Sequence, residues 1–491
     1  MPHLRQKIVS GLFWSAVERF GQQGIQFVIT IIIARILTPA DYGLIGMISI
    51  FMGVSMSFIN SGFGQALIQR QNATHIDEST IFFFNIFLGF IFFFILFFVA
   101  PLIAAFYKQP ILTLLIRVMA LNLIINSFSI VQNALITKTI DFKRLTKISL
   151  ISVVISGTVG IILAIKGFGV WSLVVQLIVS NLVKTILLWL FSKWRPLLVF
   201  SVASFKSLFS FGSKLLASGL LNQIFDNIYN LVIGKIYTPA SLGYYTQAKR
   251  IQEMPVNNSI SILQRVTYPI YATIQDETTR LKTVYRKTIK AIVMINFPLM
   301  IGIMICAYPL IKVLLTDKWL QAVPYLQLLC IIGLFLPLSS VNLNILKVKG
   351  RTDIFFYLEI AKKIIITLAI LITFRYGIYI MIFGQVCTSF IAHFLNIYYS
   401  GRLINYNIHE QLNDIAPYLF LSVGVGICIF FGGLFLNSIQ ITLRLIIQIA
   451  LFSLLYTVLI HILNLEAYSE LKSIINKRLF NIQVDSAEVT I

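Results

Sequence analysis

Polar side chains recur at helical spacing inside two strongly apolar segments of the sequence. The first segment carries a stripe of three such residues: Glu18, Gln22 and Gln26. The second carries an equivalent stripe: Asn222, Asp226 and Asn230. Intervals of four residues place each stripe on one face of a helix, and ionisable residues inside membrane spans usually face a bundle interior or water. The stripes therefore predict that the two helices line a hydrated cleft, in which these six residues are candidate polar or ion-coupling groups. The alternative is that they join helices by hydrogen bonds.

Four basic residues within the apolar segments are candidates for contacting an anionic substrate: Arg19, Arg117, Lys249 and Arg250. Lys249 and Arg250 belong to a segment that is interrupted by Glu253 and Pro255. A membrane tolerates such a segment only where it lines protein or a water-filled cavity. These two cations are therefore expected either to meet an anion or to pair with Glu253.

Motifs for catalysis and metal binding are missing from the sequence. It has no G-x-x-x-x-G-K-[ST] loop for ATP and no HExxH or GxSxG sequence. The four cysteines lie in apolar stretches and the five histidines are scattered, so no donor set has the spacing of a metal site. The chain is predicted not to be an enzyme and to use neither a cofactor nor a metal.

The composition indicates that these residues lie in a polytopic all-α membrane protein. Hydrophobic residues make up 58% of the 491 positions, charged residues only 12%, and the mean hydropathy is +0.88. A soluble domain carries about 25% charged residues, and a span takes about 20 apolar residues, so the apolar content would fill roughly fourteen spans. Soluble enzymes, disordered regulators and disulfide-rich secreted domains are excluded. The predicted spans lie near 11–36, 43–66, 80–106, 111–136, 147–166, 169–191, 212–236, 244–270, 288–314, 322–346, 355–374, 378–400, 415–436 and 441–463.

The basic excess predicts the orientation of the chain in the membrane. Lys and Arg number 39 against 18 Asp and Glu, a net charge of +21, and most of the cations lie in short loops rather than in a nucleic-acid-binding patch. One side carries roughly 20 Lys and Arg and the other about 8, which places both termini in the cytoplasm. No A-x-A cleavage site follows the basic N-terminus, so the first helix is expected to be retained. Lys184 and Lys290 lie near span ends and are predicted to reach the membrane surface.

An internal repeat divides the sequence. Residues 31–43 (IIIARILTPADYG) match residues 231–243 (LVIGKIYTPASLG), and residues 99–107 (VAPLIAAFY) resemble residues 307–315 (AYPLIKVLL). Six spans separate the copies, and an even number gives the copies the same orientation. The repeat predicts two parallel six-helix lobes, 1–200 and 201–402, around a central cavity, with helices 13 and 14 and a tail in 403–491. The Pro- and Gly-containing turns are expected to be tight connections between helices.

Five segments resemble the polysaccharide-transporter branch of the MOP flippase superfamily, in particular the WzxC-like lipopolysaccharide and exopolysaccharide exporters. They are ARILTPADYGLIGM (34–47), ALIQR (66–70), TIDFKRLTKI (139–148), SLGYYTQAKRIQEMPVN (241–257) and YPIYATIQDETTRL (268–281). The resemblance implies two lobes around a cationic cavity and a bacterial inner-membrane location. It implies as substrate an undecaprenyl-diphosphate-linked oligosaccharide that is moved across the membrane by alternating access. It also implies cleft cations on helices 1 and 8, which by position are Arg19 and Lys249 with Arg250.

The implied partners are the lipid-linked oligosaccharide, the bilayer, H⁺ or Na⁺ as a coupling ion, and a polysaccharide polymerase or glycosyltransferases. Two alternatives stay open. A cation-coupled multidrug exporter of the same superfamily would need acidic residues for cationic drugs, whereas the intramembrane charge here leans basic. A membrane oligosaccharide polymerase or ligase would usually carry a large periplasmic loop, which this sequence does not contain.

Overall fold

The computed structural model describes residues 2–60, 63–70, 72–139, 141–436 and 438–479, and throughout these ranges the regular structure is helical. The first half forms α1 (Pro2–Ile36), α2 (Pro39–Asn60), α3 (Phe63–Gln69), α4 (His75–Tyr107), α5 (Ile111–Ser127), α6 (Ile130–Lys138), α7 (Phe142–Ile165), α8 (Val170–Phe191) and α9 (Val202–Ile236). The second half forms α10 (Pro239–Thr273), α11 (Thr278–Ile305), α12 (Ala307–Leu315), a 3₁₀ turn (Asp317–Ala322), α13 (Val323–Val348), α14 (Thr352–Thr373), α15 (Ile378–Ile404), α16 (Ile408–Phe435), α17 (Ile441–Ile462) and α18 (Glu466–Leu479).

The predicted all-α membrane fold is confirmed. Each predicted span coincides with one long helix or with a long helix and the short one that follows it. Among the described residues, nine helices are long and apolar enough to cross a membrane, or ten if the bent pair α5 and α6 counts as one span. A count of fourteen is consistent with this helix order. The chain is a multi-pass membrane protein.

The bend between α5 and α6 shows how a broken span meets its hydrogen-bonding needs. The two helices differ in direction by 40°, which leaves backbone carbonyls without helical partners. Trp189 of α8 donates its indole N–H to the carbonyl of Phe128 at 2.9 Å, and Thr185 donates to the carbonyl of Ile125 at 3.3 Å. Side chains of a neighbouring helix thus satisfy the freed carbonyls, as the apolar core of a membrane requires.

By contacts, the chain forms two compact units, Met1–Thr246 and Gln247–Ile491. In the first unit, α4 packs on α5, α1 and α8 pack on α7, and α9 packs on α2. In the second unit, α11 and α15 pack on α13, and α16 packs on α11. The first unit extends beyond residue 200 because α9 lies against α2. The lobe boundaries at 200 and 402 stay a prediction.

Candidate functional site

The two repeated turns are built alike. Thr38 precedes α2, and its hydroxyl donates to Asp41 at 2.6 Å while its backbone N–H donates to the same carboxylate at 2.9 Å. Thr238 precedes α10 and exchanges a 2.9 Å hydrogen bond with the hydroxyl of Ser241, whose backbone N–H donates to Thr238 at 3.2 Å. These are helix N-caps, and the proline that follows each Thr fits the first helical position. The predicted role as tight connections between helices is what the geometry shows.

The two turns also lie directly against each other. A Cβ placed on Gly43 would be 1.7 Å from the carbonyl oxygen of Pro239, and one placed on Gly243 would be 1.8 Å from the carbonyl oxygen of Pro39. The contact is reciprocal: each repeat supplies a glycine at the same position and a proline carbonyl at the same position. Only glycine permits backbones to approach this closely. The sequence repeat therefore marks a pseudo-symmetric contact within the first unit.

Small residues continue this contact along α2. Gly46 faces Leu242 and Thr246, and a Cβ on Gly53 would lie 2.0 Å from the side-chain nitrogen of Gln223 on α9. Small residues allow membrane helices to pack closely. The α2 face formed by Gly43, Gly46, Ser49 and Gly53 is hereafter the glycine face, and it is the surface on which α9 and the first turns of α10 rest.

The predicted stripe on α9 divides between this contact and a more open surface. Asn230 is buried and donates to the hydroxyl of Ser49 at 3.3 Å and to Asn227 at 3.2 Å. Asn222 and Asp226 are exposed. Asn230 therefore makes the interhelical hydrogen bonds of the alternative prediction, whereas Asn222 and Asp226 keep the accessibility that a cleft requires.

The stripe on α1 divides in the same way. Glu18 is half-buried and accepts a 2.9 Å hydrogen bond from Ser149 of α7, and it interacts electrostatically with Lys184 of α8. Gln26 is half-buried and Gln22 is exposed. Glu18 thus contacts helices of its own unit, an interaction that the sequence alone could not distinguish from a cleft-lining role.

The four candidate cations occupy different surroundings. Arg117 of α5 donates to the carbonyl of Phe97 on α4 at 3.2 Å, and its guanidinium lies 4.4 Å from the centroid of the Phe97 ring. Lys249 lies 3.6 Å from Glu253 one turn further along α10, which is the predicted internal pair. Arg250 is exposed, and Arg19 is half-buried on α1. Their roles as substrate contacts stay predictions.

Comparison of the repeats shows where the two halves diverge. At an offset of 200, three residues of the glycine face on α2 correspond to larger or charged residues on α10: Gly46 to Thr246, Ser49 to Lys249 and Gly53 to Glu253. Arg250 occupies the position of Ile50. The face that is small and closely packed in the first copy is therefore charged in the second. Internal comparison of the repeats would have revealed this difference from the sequence.

Sequence reasoning missed a cluster of ion pairs at the ends of α11 and α16, on the side predicted to be cytoplasmic. Arg286 holds the carboxylate of Asp414 with two hydrogen bonds of 2.7 and 2.8 Å, and Tyr406 donates to the same carboxylate at 2.6 Å. Lys290 lies 3.1 Å from Asp414 and also pairs with Glu466 at the start of α18. Lys290 thus forms ion pairs in addition to lying near the membrane surface. The sequence alone could not reveal these pairs, because both partners come from helices more than 100 residues away in the chain.

The cluster also attaches the last helix. Lys287 of α11 pairs with Glu470 of α18 at 2.8 Å, and the backbone N–H of Ala467 donates to the hydroxyl of Tyr418 at 3.2 Å. Partial burial alone would raise the pKa of Asp414, but hydrogen bonds from Arg286, Tyr406 and Lys290 outweigh it and lower the pKa to about 2. The carboxylate is therefore charged at every physiological pH and joins α16 to α11, and Lys287 and Lys290 in turn join α11 to α18.

In the described part of the chain, no three His, Cys, Asp or Glu side chains are grouped as metal ligands.

The long apolar helices and the repeated turns define a polytopic α-helical membrane protein with an internal sequence repeat. The chain belongs to the polysaccharide biosynthesis protein family, whose model matches residues 32–324. It is 29% identical over 478 residues to the teichuronic acid biosynthesis protein TuaB of Bacillus subtilis, with 96% of this chain and 98% of that protein aligned. It is 28% identical to the lipopolysaccharide biosynthesis protein WzxC of Escherichia coli, with 75% of each chain aligned.

Among solved structures, the fold is similar to that of the lipid II flippase MurJ in an inward closed conformation. The TM-score is 0.75 at 13% identity, covering 92% of this chain and 99% of that chain. It is also similar to an inward-facing multidrug resistance transporter of the MATE family, with a TM-score of 0.63 at 17% identity and coverage of 80% and 98%. The family match and these relatives confirm the predicted resemblance to WzxC-like polysaccharide biosynthesis proteins, and the fold is that of the MOP-superfamily transporters.

Proposed function

We propose that this protein is a flippase that carries a lipid-linked oligosaccharide across the bacterial inner membrane by alternating access. The alignment with TuaB, which extends over nearly the full length of both chains, carries the proposal. A further relative, the succinoglycan biosynthesis transport protein ExoT of Rhizobium meliloti, is 26% identical over 357 residues. The fold shared with a lipid II flippase supports a lipid-linked substrate. The chain acts as a carrier and not as a catalyst.

The free-energy cost of moving a sugar head group through hydrocarbon explains why a flippase needs polar residues on its membrane helices. Each sugar hydroxyl transferred to hydrocarbon without a partner costs several kcal/mol, and an isolated phosphate charge costs far more. A wet groove with net positive charge removes most of this barrier while the polyprenyl chain stays in the lipid. Lys249 and Arg250 on α10 would contact the diphosphate. The repeat supports this assignment, because the equivalent positions on the closely packed α2 carry no charge and these two cations are therefore specific to the second copy. Within the first unit, Arg19, Gln22, Asn222 and Asp226 would offer polar groups to the transported head group.

The orientation follows from the loop charges. Both termini and the ion-pair cluster around Asp414 would face the cytoplasm, and the reciprocal contact of Gly43 and Gly243 would lie at the outer end of α2 and α10. Related folds occur in inward-facing and outward-facing conformations. The contact between the two turns is then an outer seal, which must separate when the sugar is released outside.

The energy source would be H⁺ or Na⁺, with Asp226 as the coupling carboxylate, because it is exposed on α9. A membrane potential that is negative inside favours outward movement of an anion by about 2.3 kcal/mol per charge per 100 mV. Coupled cation movement would add to or oppose this term. The flipped product would pass to a polysaccharide polymerase, and glycosyltransferases would supply the substrate on the inner face.

The proposal is tested in cells from which the gene is deleted. Loss of the flippase should cause the lipid-linked repeat unit to accumulate on the cytoplasmic face, where an external glycosidase cannot reach it, and expression of the wild-type chain should restore access. Normal polysaccharide output without accumulation would contradict the proposal. Resistance to cationic dyes measured in the same strains tests the multidrug alternative.

A further inference from the structure

A recess with two cations lies outside the polar stripes and the ion-pair cluster. It occupies about 490 Å³ between α12 and the start of α17 and is lined by Tyr308, Lys312, Ile439, Ile441 and Arg444. Lys312 lies 3.0 Å from Asp317, whose side chain is 70% exposed. The lining thus contributes two cations, Lys312 and Arg444, and the exposed carboxylate of Asp317 pairs with Lys312.

The recess is specific to the second copy of the repeat. Residues 307–315 correspond to residues 99–107, and at this offset Tyr308 and Lys312 correspond to Ala100 and Ala104. Both alanines are buried in the first unit. The two positions therefore changed from small packed residues to an aromatic hydroxyl and an ammonium group on the helix that faces α17. In the predicted division into two six-helix lobes, α17 is one of the two additional helices and has no counterpart in the first copy.

The start of α17 adds donors to the same recess. The first backbone N–H groups of a helix have no acceptor within the helix, and they carry partial positive charge. Gln440 precedes α17 and makes no side-chain capping hydrogen bond, while its neighbours Ile439 and Ile441 line the recess. A bound anion would accept hydrogen bonds from the first backbone N–H groups of α17 as well as from Arg444.

Loop charge does not explain these cations. In the orientation proposed above, the recess lies at the outer ends of the spans, where the positive-inside rule predicts few basic residues. Apolar side chains around it are exposed, with Leu443 at 48% and Ile446 at 58% on α17, as expected of surfaces in contact with lipid. The recess therefore has cations in its lining and an exposed apolar surface of α17 beside it.

We propose that this recess binds the phosphate group of a lipid in the outer leaflet. A phosphate accepts bidentate hydrogen bonds from a guanidinium and pairs with an ammonium, while acyl or prenyl chains would lie along the apolar surface of α17. Phosphate on a lipid has two sources here, a phospholipid headgroup of the bilayer or the polyprenyl phosphate end of a translocated substrate. The site is distinct from the groove of the proposed function, and binding here does not require flipping.

Lipid binding is measured by native mass spectrometry of the purified full-length protein, titrated separately with phosphatidylglycerol, undecaprenyl phosphate and diacylglycerol. The double variant Lys312→Gln with Arg444→Gln should weaken binding of at least one phosphate lipid by about tenfold or more, since hydrogen bonds to charged groups contribute about 1.5–3 kcal/mol each. The variant Arg375→Gln is the matched control, because it removes an exposed arginine from the end of α14. Arg444→Lys should keep most of the binding.

The lipid whose binding the double variant weakens identifies the source of the phosphate. Weaker binding of phosphatidylglycerol indicates a bilayer phospholipid, and weaker binding of undecaprenyl phosphate indicates the transported lipid. Equal binding of both phosphate lipids by the wild type and the double variant would overturn the proposal. Diacylglycerol binding as strong as that of the phosphate lipids would also overturn it. If the double variant does not fold, two comparisons still decide the question. The wild type should bind the phosphate lipids more tightly than diacylglycerol, and Arg444→Lys should keep most of that binding. Failure of flipping in separate assays would leave these outcomes unchanged.

Discussion

Gly43 and Gly243, which occupy the same position in the two repeats, each lie against the proline carbonyl of the other repeat. The space available at each glycine is smaller than a methyl group, since a Cβ would lie 1.7 or 1.8 Å from a carbonyl oxygen. A duplicated sequence that meets itself in this way forms a two-sided contact that one substitution can disturb. We infer that this contact is the outer seal of the transport path.

Alanine at either glycine is expected to destabilise the closed arrangement. Gly43→Ala or Gly243→Ala should lower the free energy of unfolding by about 1–3 kcal/mol, as overpacking usually does, and should reduce export. Thermal unfolding of the purified protein and polysaccharide output from cells are the measurements. Gly24→Ala and Gly219→Ala are matched controls on α1 and α9, because a Cβ at either position meets no atom within 4 Å. If the seal variants behave like these controls, the contact has no structural role.

Removal of the α10 cations is expected to impair export without reducing the amount of protein in the membrane. The double variant Lys249→Ala with Arg250→Ala should lower export by about tenfold or more if both groups contact a diphosphate. Immunoblotting of membranes and sugar analysis of the cell surface measure the two quantities. Arg402→Ala removes an exposed cation from α15 and should leave export unchanged, and Arg250→Lys should retain partial activity. Normal export by the double variant would remove both residues from the site.

Neutralisation of the α9 carboxylate is expected to uncouple transport from its ion. Asp226→Asn should abolish the dependence of flipping on a Na⁺ or H⁺ gradient, because the amide cannot bind and release a cation as a carboxylate does. Asp226→Glu should retain the dependence. The assay is initial rate against imposed gradient in proteoliposomes. An Asp226→Asn protein with the wild-type gradient response would show that the coupling group is elsewhere.

Loss of the Asp414 charge is expected to loosen α18. Asp414→Asn breaks charge-assisted hydrogen bonds with Arg286 and Lys290 and should lower the free energy of unfolding by about 1.5–3 kcal/mol. Protease sensitivity of the segment after residue 465 should rise in parallel. Asp353→Asn provides the comparison, since that carboxylate pairs with Arg351 at the exposed start of α14 and exposed pairs contribute at most about 1 kcal/mol. Equal effects of the two changes would mean that the cluster is not structural.

The same carboxylate predicts an acid dependence of stability. The pKa of Asp414 is lowered to about 2 from an ordinary value of about 3.9, so its contribution is fully present above about pH 4 and is lost as the pH falls towards 2. The difference in melting temperature between the wild type and Asp414→Asn should therefore be constant from pH 8 to pH 5 and should shrink below pH 4. A difference that changes between pH 8 and pH 5 would contradict the assigned ionisation.

The sequence predicted the helices better than it predicted their contacts. Hydropathy and the repeat located the spans, because a bilayer leaves few alternatives to a long apolar helix. Helical periodicity placed Glu18 and Gln26 on a common face but did not reveal that Ser149 lies opposite Glu18, because periodicity carries no information about which helix is adjacent. Lys290 and Asp414 were not linked for the same reason, since 124 residues separate them (414 − 290). Divergence between repeat positions, as at Ser49 and Lys249, is a further signal of the site that the sequence itself carries.

The most direct measurement is flipping of a fluorescently labelled undecaprenyl-diphosphate oligosaccharide by the purified protein in proteoliposomes. Access of an external glycosidase to the labelled sugar reports its movement between leaflets. The proposed function predicts that substrate on the inner leaflet becomes accessible with the wild type and far more slowly with the Lys249→Ala, Arg250→Ala double variant. Accessibility no faster than in protein-free liposomes, from a folded protein under an imposed ion gradient, would contradict it.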